Sequence, residues 1–163
     1  MKTTFRPYCA DDWTWLVEAI DQFWDDLRAM DPFGRMIHEP EYGEVYLREL
    51  LERIRGPNGK LILALVQTKP IGFVAAEIEV QSDQNRVEVG PSRAGRVLEL
   101  YIVPEYRNHR IGEALMHEIE GYLREAGCDT IKIEVFAPNL GARRFYEHLG
   151  YSEWIVDVFK RLK

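Results

Sequence analysis

Cysteine is nearly missing from this chain. Cys9 and Cys128 are its only two, they lie far apart, and neither stands in a metal-ligand spacing. A disulfide-stapled secreted scaffold and a zinc module are therefore excluded, no metal is expected, and two unpaired thiols point to the reducing cytoplasm. Long apolar runs are missing as well. None approaches the ~20 residues needed to cross a bilayer, and the first residues, MKTTFRPY, have no apolar core of the signal-peptide type, so no membrane partner is expected. An excess of positive charge is also absent. The formal net charge is −6, and all of the excess lies in residues 1–50, which hold five Lys/Arg against eleven Asp/Glu. Nucleic acid is then not an expected partner, because phosphate binding needs a basic face. The acidic stretch reads either as a solvated helix face or as a field that draws in cationic molecules. There is no Gly-x-x-x-x-Gly-Lys-Ser/Thr and no Gly-x-Gly-x-x-Gly, which argues against a nucleotide-hydrolysing loop and a dinucleotide site.

What is present fits one domain over residues 1–163, with no linker, repeat or low-complexity tract. Thr3 to Tyr8 reads as an edge strand. A helix follows, capped by Asp11 or Asp12, with Trp13, Leu16, Val17, Ile20, Phe23, Trp24 and Leu27 as its apolar stripe. Asp31-Pro32-Phe33-Gly34 breaks it, and a second helix spans about Glu41 to Arg55. Leu61 to Val66 and Ile71 to Val80 form a strand pair, and Gln81 to Gly95 reads as a mobile loop.

The chain is organised around Val97 to Met116, VLELYIVPEYRNHRIGEALM. Its first seven residues are apolar on both faces except for Glu99, which places this strand inside a sheet covered on both sides. Pro104 ends the strand, and a helix begins with Ile111, Leu115, Met116, Ile119, Tyr122 and Leu123 on one face. The basic turn between them, running into a helix N-terminus, is a site for a phosphate or pyrophosphate. A further strand from Thr130 to Phe136, a helix from Asn139 to about Leu149 stopped by Gly150, and a last strand from Glu153 to Phe159 complete the order β-α-α-β-β-β-α-β-α-β. This is an α/β class fold: a mixed, twisted sheet with helices on both faces and one right-handed parallel crossover.

Two stretches carry a resemblance. Arg107-Asn108-His109-Arg110-Ile111-Gly112 is similar to the Arg/Gln-x-x-Gly-x-Gly/Ala turn of the GNAT acetyltransferase superfamily, with Arg110 in place of the first glycine. Ala137 to Tyr151 resembles the second GNAT signature, Asn139 followed by Ala142, Phe145-Tyr146 and Leu149-Gly150-Tyr151. The resemblance implies an acetyl-CoA-dependent N-acetyltransferase in which an amine attacks the thioester directly, with no acyl-enzyme. It implies pyrophosphate contacts from the amides of Asn108, His109, Arg110, Ile111, Gly112 and Glu113, with charge from Arg107 or Arg110. It also implies pantetheine and acetyl contacts from the backbone of Leu100, Tyr101 and Ile102, and cofactor contacts from Asn139 and Tyr146. Glu99 is the implied general base, directly or through water, and Tyr146 the implied general acid. For Glu99 the alternative is an ion pair with Arg96 or Arg86, and Glu77, Glu79 and Glu134 are reserve bases. Trp24, Phe33 and Tyr46 are candidates for the acceptor wall, although core packing explains them as well. The acceptor is a small-molecule or peptide amine, and homodimers are common in the family. The competing function is an acyl-CoA-binding sensor that has lost catalysis, which only Arg110 in the glycine position favours.

Overall fold

The computed structural model describes residues 2–162. Among them the elements are β1 (Thr3–Pro7), α1 (Trp13–Arg28), α2 (Tyr42–Arg53), β2 (Gly59–Val66), β3 (Lys69–Ile78), α3 (Asp83–Val89), β4 (Ala94–Ile102), α4 (Ile111–Glu125), β5 (Thr130–Ile133) and α5 (Leu140–His148). One sheet runs β1-β2-β3-β4-β5, antiparallel except for the parallel pair β4/β5 that α4 connects.

Strand alternation sorts the apolar residues into two cores. Leu61, Leu63, Leu65, Phe73, Ala75 and Tyr101 turn to one face, where Leu16 and Ile20 of α1 and Leu47 and Leu50 of α2 cover them. Ile62, Ala64, Val74, Ala76 and Val97 turn to the other, under Ile111, Leu115, Met116, Ile119 and Leu123 of α4. A sheet covered on both faces selects this two-sided apolar pattern. α2 approaches α1 closely at Gly43, where a Cβ would sit 2.7 Å from the Val17 carbonyl oxygen. Asp12 does not cap α1 with its side chain. It is buried and paired with Arg6 at 2.6 Å, and it accepts from the Cys9 amide at 2.9 Å, tying β1 to the start of the helix.

Three expectations are corrected. Residues 83–89 are helical and not an open loop: Ser82 Oγ caps the Asn85 amide at 3.1 Å, and Gln81 bridges to the Gly90 carbonyl at 2.7 Å. The helix has no apolar stripe, since Val87 and Val89 are exposed, so periodicity could not reveal it. β5 stops at Ile133 and not at Phe136. The third is the expected last strand, Glu153 to Phe159, which is absent from the described residues. Strand propensity is largely packing against a neighbouring strand, and this segment instead reaches the turn after α1. Phe159 packs on Phe33 at 4.7 Å, the Arg35 guanidinium lies 4.8 Å from the Phe159 ring, and Arg161 donates to the Phe33 carbonyl.

Candidate active site

The site follows from where β4 leaves its neighbours. β4 and β5 pair only from Ala94/Thr130 to Val97/Ile133, after which Leu98 to Ile102 has no partner on that side. At the same point β4 carries a bulge against β3: Ala75 lies opposite Glu99 and Ala76 opposite Val97, so Leu98 is the extra residue. A bulge adds local twist and bend, which accounts for the two parallel strands parting here.

Hydrogen-bond parity then decides which backbone groups the opening exposes. The Val103 amide donates to the Ile71 carbonyl at 2.9 Å. In an antiparallel ladder the paired positions alternate, so Tyr101 pairs with Phe73 while Leu100 and Ile102 turn their N–H and C=O groups towards the gap. This corrects the expectation for Tyr101: its backbone belongs to the β3 ladder, and its side chain, 3% exposed, belongs to the core. The Ile102 carbonyl accepts from Arg107 Nε at 3.0 Å, leaving the Ile102 amide and both Leu100 groups to meet a ligand.

Beyond β4 a short helical turn at Pro104–Tyr106 leads into the basic loop. Asn108 and Arg110 both take left-handed backbone, with φ of 64° and 59°. Asn adopts this conformation readily and Arg at a cost of about 1–2 kcal/mol, so the arginine in the glycine position keeps the glycine-like shape. The first three amides of α4 have no intrahelical acceptor. Among the described residues no backbone acceptor is met by any amide from Asn108 to Glu113; the Ala114 amide is the first to bond, to Arg110 O at 3.1 Å. Six such amides at a helix N-terminus suit a diphosphate. Arg107 itself is committed elsewhere, bound to Asp26 of α1 at 2.8 Å. Arg110 is exposed and makes no ion pair among the described residues. His109 Nδ1 donates to the Arg107 carbonyl at 2.8 Å and so braces the turn from within.

Glu99 points to the face of α1 and α2, where the Tyr46 hydroxyl of α2 donates to Oε1. Burial pushes its carboxyl up from 4.5 to about 7, against the smaller opposing effects of the Tyr46 hydrogen bond and the Arg53 charge. The expected alternative partners are elsewhere: Arg96 pairs with Glu134 and with Glu79 at 3.5 Å, and Arg86 lies on α3. The reserve acids are all in ion pairs, Glu77 with Arg53, Glu79 also with Lys132 at 2.8 Å, and Glu134 with Arg96. Of these four carboxylates only Glu99 has no cationic partner among the described residues.

Asn139 caps α5, its Oδ1 accepting from the Ala142 amide at 3.0 Å. α5 seats Phe145 on the first turn of α4, where a Cβ on Gly112 would come within 3.2 Å of the Phe145 ring. Next to it Tyr146 packs between Phe145 and Tyr151, with ring centroids 5.2 and 5.8 Å away. Burial and then the Glu99 charge push its phenol well above the usual tyrosine range. Tyr146 and Glu99 are thus electrostatic neighbours although they come from opposite faces of the sheet.

Of the acceptor-wall candidates, Trp24 stacks on Tyr42 at 4.6 Å and Tyr42 on Tyr46 at 5.6 Å, a series that ends at Glu99. Phe33 stands apart, against Phe159. Sequence reasoning missed His38, whose ring nitrogens bond Asp25 at 2.9 Å and Asp21 at 3.1 Å and which those carboxylates push up. It clamps the turn after α1 onto the helix. Asp25 also pairs with Arg28 at 3.0 Å.

Set beside known proteins, this arrangement has a clear kinship. A family model described as the acetyltransferase (GNAT) family matches residues 19–151. The chain belongs to that family. It is 30% identical over 128 residues to a mycothiol acetyltransferase of Thermobispora bispora, covering 75% of this chain and 41% of that one. It is 25% identical over 150 residues to an uncharacterized N-acetyltransferase of Methanocaldococcus jannaschii, covering 92% and 61%. The chain thus spans less than two thirds of these relatives. Among solved structures, the fold matches a variant of the BH1408 protein of Bacillus halodurans with a TM-score of 0.82, 15% identity and coverage of 98% and 99%. It also matches AAC(6')-Iy in complex with a CoA-linked acetylneamine bisubstrate analogue, with a TM-score of 0.73, 15% identity and coverage of 100% and 99%. No helix among the described residues is long and apolar enough to cross a membrane.

Proposed function

We propose that residues 1–163 act as one acetyl-CoA-dependent N-acetyltransferase domain that acetylates a primary amine. The carrying observation is the gap between β4 and β5, flanked by Glu99 at its mouth and by the run of amides from Asn108 to Glu113 beyond it. In this reading those amides and Arg110 hold the diphosphate of the co-substrate. The Leu100 groups and the Ile102 amide pair with the pantetheine arm as an added strand would, and an amide there polarises the acetyl carbonyl.

The neutral amine attacks the thioester carbon, the C–N bond forms and the C–S bond breaks. The proton lost by nitrogen passes to Glu99, directly or through one water. A carboxylate near 7 is a stronger base for that proton than a free glutamate near ~4.3. The electron pair of the broken bond stays on sulfur, towards which Tyr146 donates its hydroxyl. Its raised phenol makes full proton transfer to a thiolate of ordinary pKa ~8.5 uphill, so Tyr146 acts mainly by hydrogen bonding to the developing charge. Arg110 keeps the loop in its left-handed form, which supports the cofactor binding that both the enzyme and the sensor reading require.

The acceptor is an amine on a small molecule or peptide, admitted along the aromatic series Trp24-Tyr42-Tyr46 that leads to Glu99. AAC(6')-Iy, bound to an aminoglycoside-derived bisubstrate, and the mycothiol acetyltransferases suggest amino sugars for the first panel. The test is thiol release from acetyl-CoA with polyamines, aminoglycosides, glucosamine derivatives and N-terminal peptides. Turnover with any of them that falls at least ~10²-fold in Glu99→Gln supports the reading. Binding of acetyl-CoA, seen as a raised Tm, without turnover of any amine would replace it with the sensor.

A further inference from the structure

We propose that Tyr46 is a positioning residue for this reaction: its hydroxyl holds one oxygen of the Glu99 carboxylate so that the other faces the incoming amine. The inference rests on Glu99 being the base. Tyr46 and Glu99 are 53 positions apart and meet only because α2 packs over the bulge in β4.

Three observations carry the inference. The first is rigidity. The Tyr46 ring is stacked on Tyr42, and Tyr42 on Trp24, so its hydroxyl is a fixed point in the core and not a swinging donor. The second is that nothing else holds the carboxylate. The nearest cation, Arg53, donates to both oxygens of Glu77, with Nε at 3.1 Å from Oε2. Arg96 is taken by Glu79 and Glu134. The third is chemical. An arginine in contact would orient the carboxylate equally well but would also drive its pKa down and spoil it as a base. A neutral phenol orients it while burial still keeps it well above an ordinary carboxylate. Burial and the Glu99 charge push the Tyr46 phenol well above its usual range, so it stays a donor at every working pH.

The charged and titratable groups facing Glu99 are Tyr42, Tyr46 and Arg53 of α2 and Tyr146 of α5. All four are pushed upwards and keep their protons through neutral pH. His38, edge-on to Tyr42 at 5.9 Å and pushed above the usual histidine value by Asp25 and Asp21, titrates as well, so an acid limb of kcat/KM is assigned to Glu99 by its loss in Glu99→Gln.

Tyr46→Phe keeps the stacked ring and removes only the donor. With the amine that turns over fastest, the acid limb of kcat/KM should move up by about one pH unit, as loss of a hydrogen bond to a charged group implies. The plateau should fall about 10-fold, because the base is no longer held in place, with KM for acetyl-CoA unchanged. A limb and plateau both unmoved, in a variant whose Tm matches the parent, would overturn the proposal. Tyr42→Phe, which lacks this bond, should leave the limb where it is; an equal shift there would overturn it too. Glu99→Gln separates the two levels. If the parent's limb survives in that variant, the base assignment itself falls, and Tyr46 falls with it.

Discussion

Replacing Glu99 with Gln removes one charge from the interior while keeping an oxygen for the Tyr46 hydroxyl. Burial lifts this carboxyl from 4.5 to about 7, a displacement of about 2.5 units, or about 3 kcal/mol. The folded state binds this proton more tightly than the unfolded chain does. The stability tied to it is therefore fully present below about pH 4.5 and is lost as the pH rises through about 7. Above that, the parent carries an ionised, poorly solvated carboxylate that the variant does not. Between about pH 5 and about pH 9, Glu99→Gln should gain about 3 kcal/mol on the parent. In a chain of this length each kcal/mol moves Tm by about 2–4 °C, so the Tm difference should widen by about 6–12 °C. Calorimetry of both proteins across that range at constant ionic strength measures it. A Tm difference that stays constant with pH would mean an ordinary, hydrated glutamate, and the tuned base would have to be abandoned.

Four other outcomes are expected. Gly43→Ala should lower stability by about 1–3 kcal/mol, because its Cβ meets the Val17 carbonyl and neither helix can yield cheaply; denaturant melts read this directly. Asp12→Asn should cost about 2 kcal/mol at neutral pH, since the Arg6 hydrogen bonds hold the carboxyl down from 3.8 to about 2. That deficit should vanish as the pH falls through about 2, because a depressed group adds stability only above its unfolded value. Arg110→Gly should leave Tm unchanged or raise it slightly, relief of left-handed strain offsetting glycine's chain entropy, while weakening acetyl-CoA binding in a titration at low salt. Trp154→Ser with Val158→Ser should leave Tm within about 1 °C yet improve solubility, these side chains being 86% and 93% exposed.

The parts of this protein legible in its sequence are those written in local pattern. The two-faced apolar strand at 97–103, the stripe of α4, the cap at Asn139 and the basic turn before Ile111 all announce themselves within a few residues, and all are found. The family's two signatures lie on these same elements. What stayed hidden depends on distance or on accident of register. α3 is held by a cap and glutamine bridges, which leave no periodic trace. The bulge at Leu98 reassigns backbone groups along β4, so Tyr101 could not be told from Leu100 and Ile102 by position alone. The expected strand at 153–159 has the right side chains but no ladder to join. The partner of Glu99 is none of the nearby arginines but a tyrosine from another layer, 53 positions away on α2.

Leu98, the extra residue in β4, bends the strand where it parts from β5. A chain lacking that single amino acid could run β4 straight beside β3, with Glu99 still opposite Ala75 and each following side chain on its present side of the sheet, so that only the kink is lost. The carboxylate would still face the tyrosine and the aromatic at 101 would keep its helices, but with the kink gone the wedge would close. Deleting one leucine should therefore weaken acetyl-CoA binding while leaving both apolar layers in place.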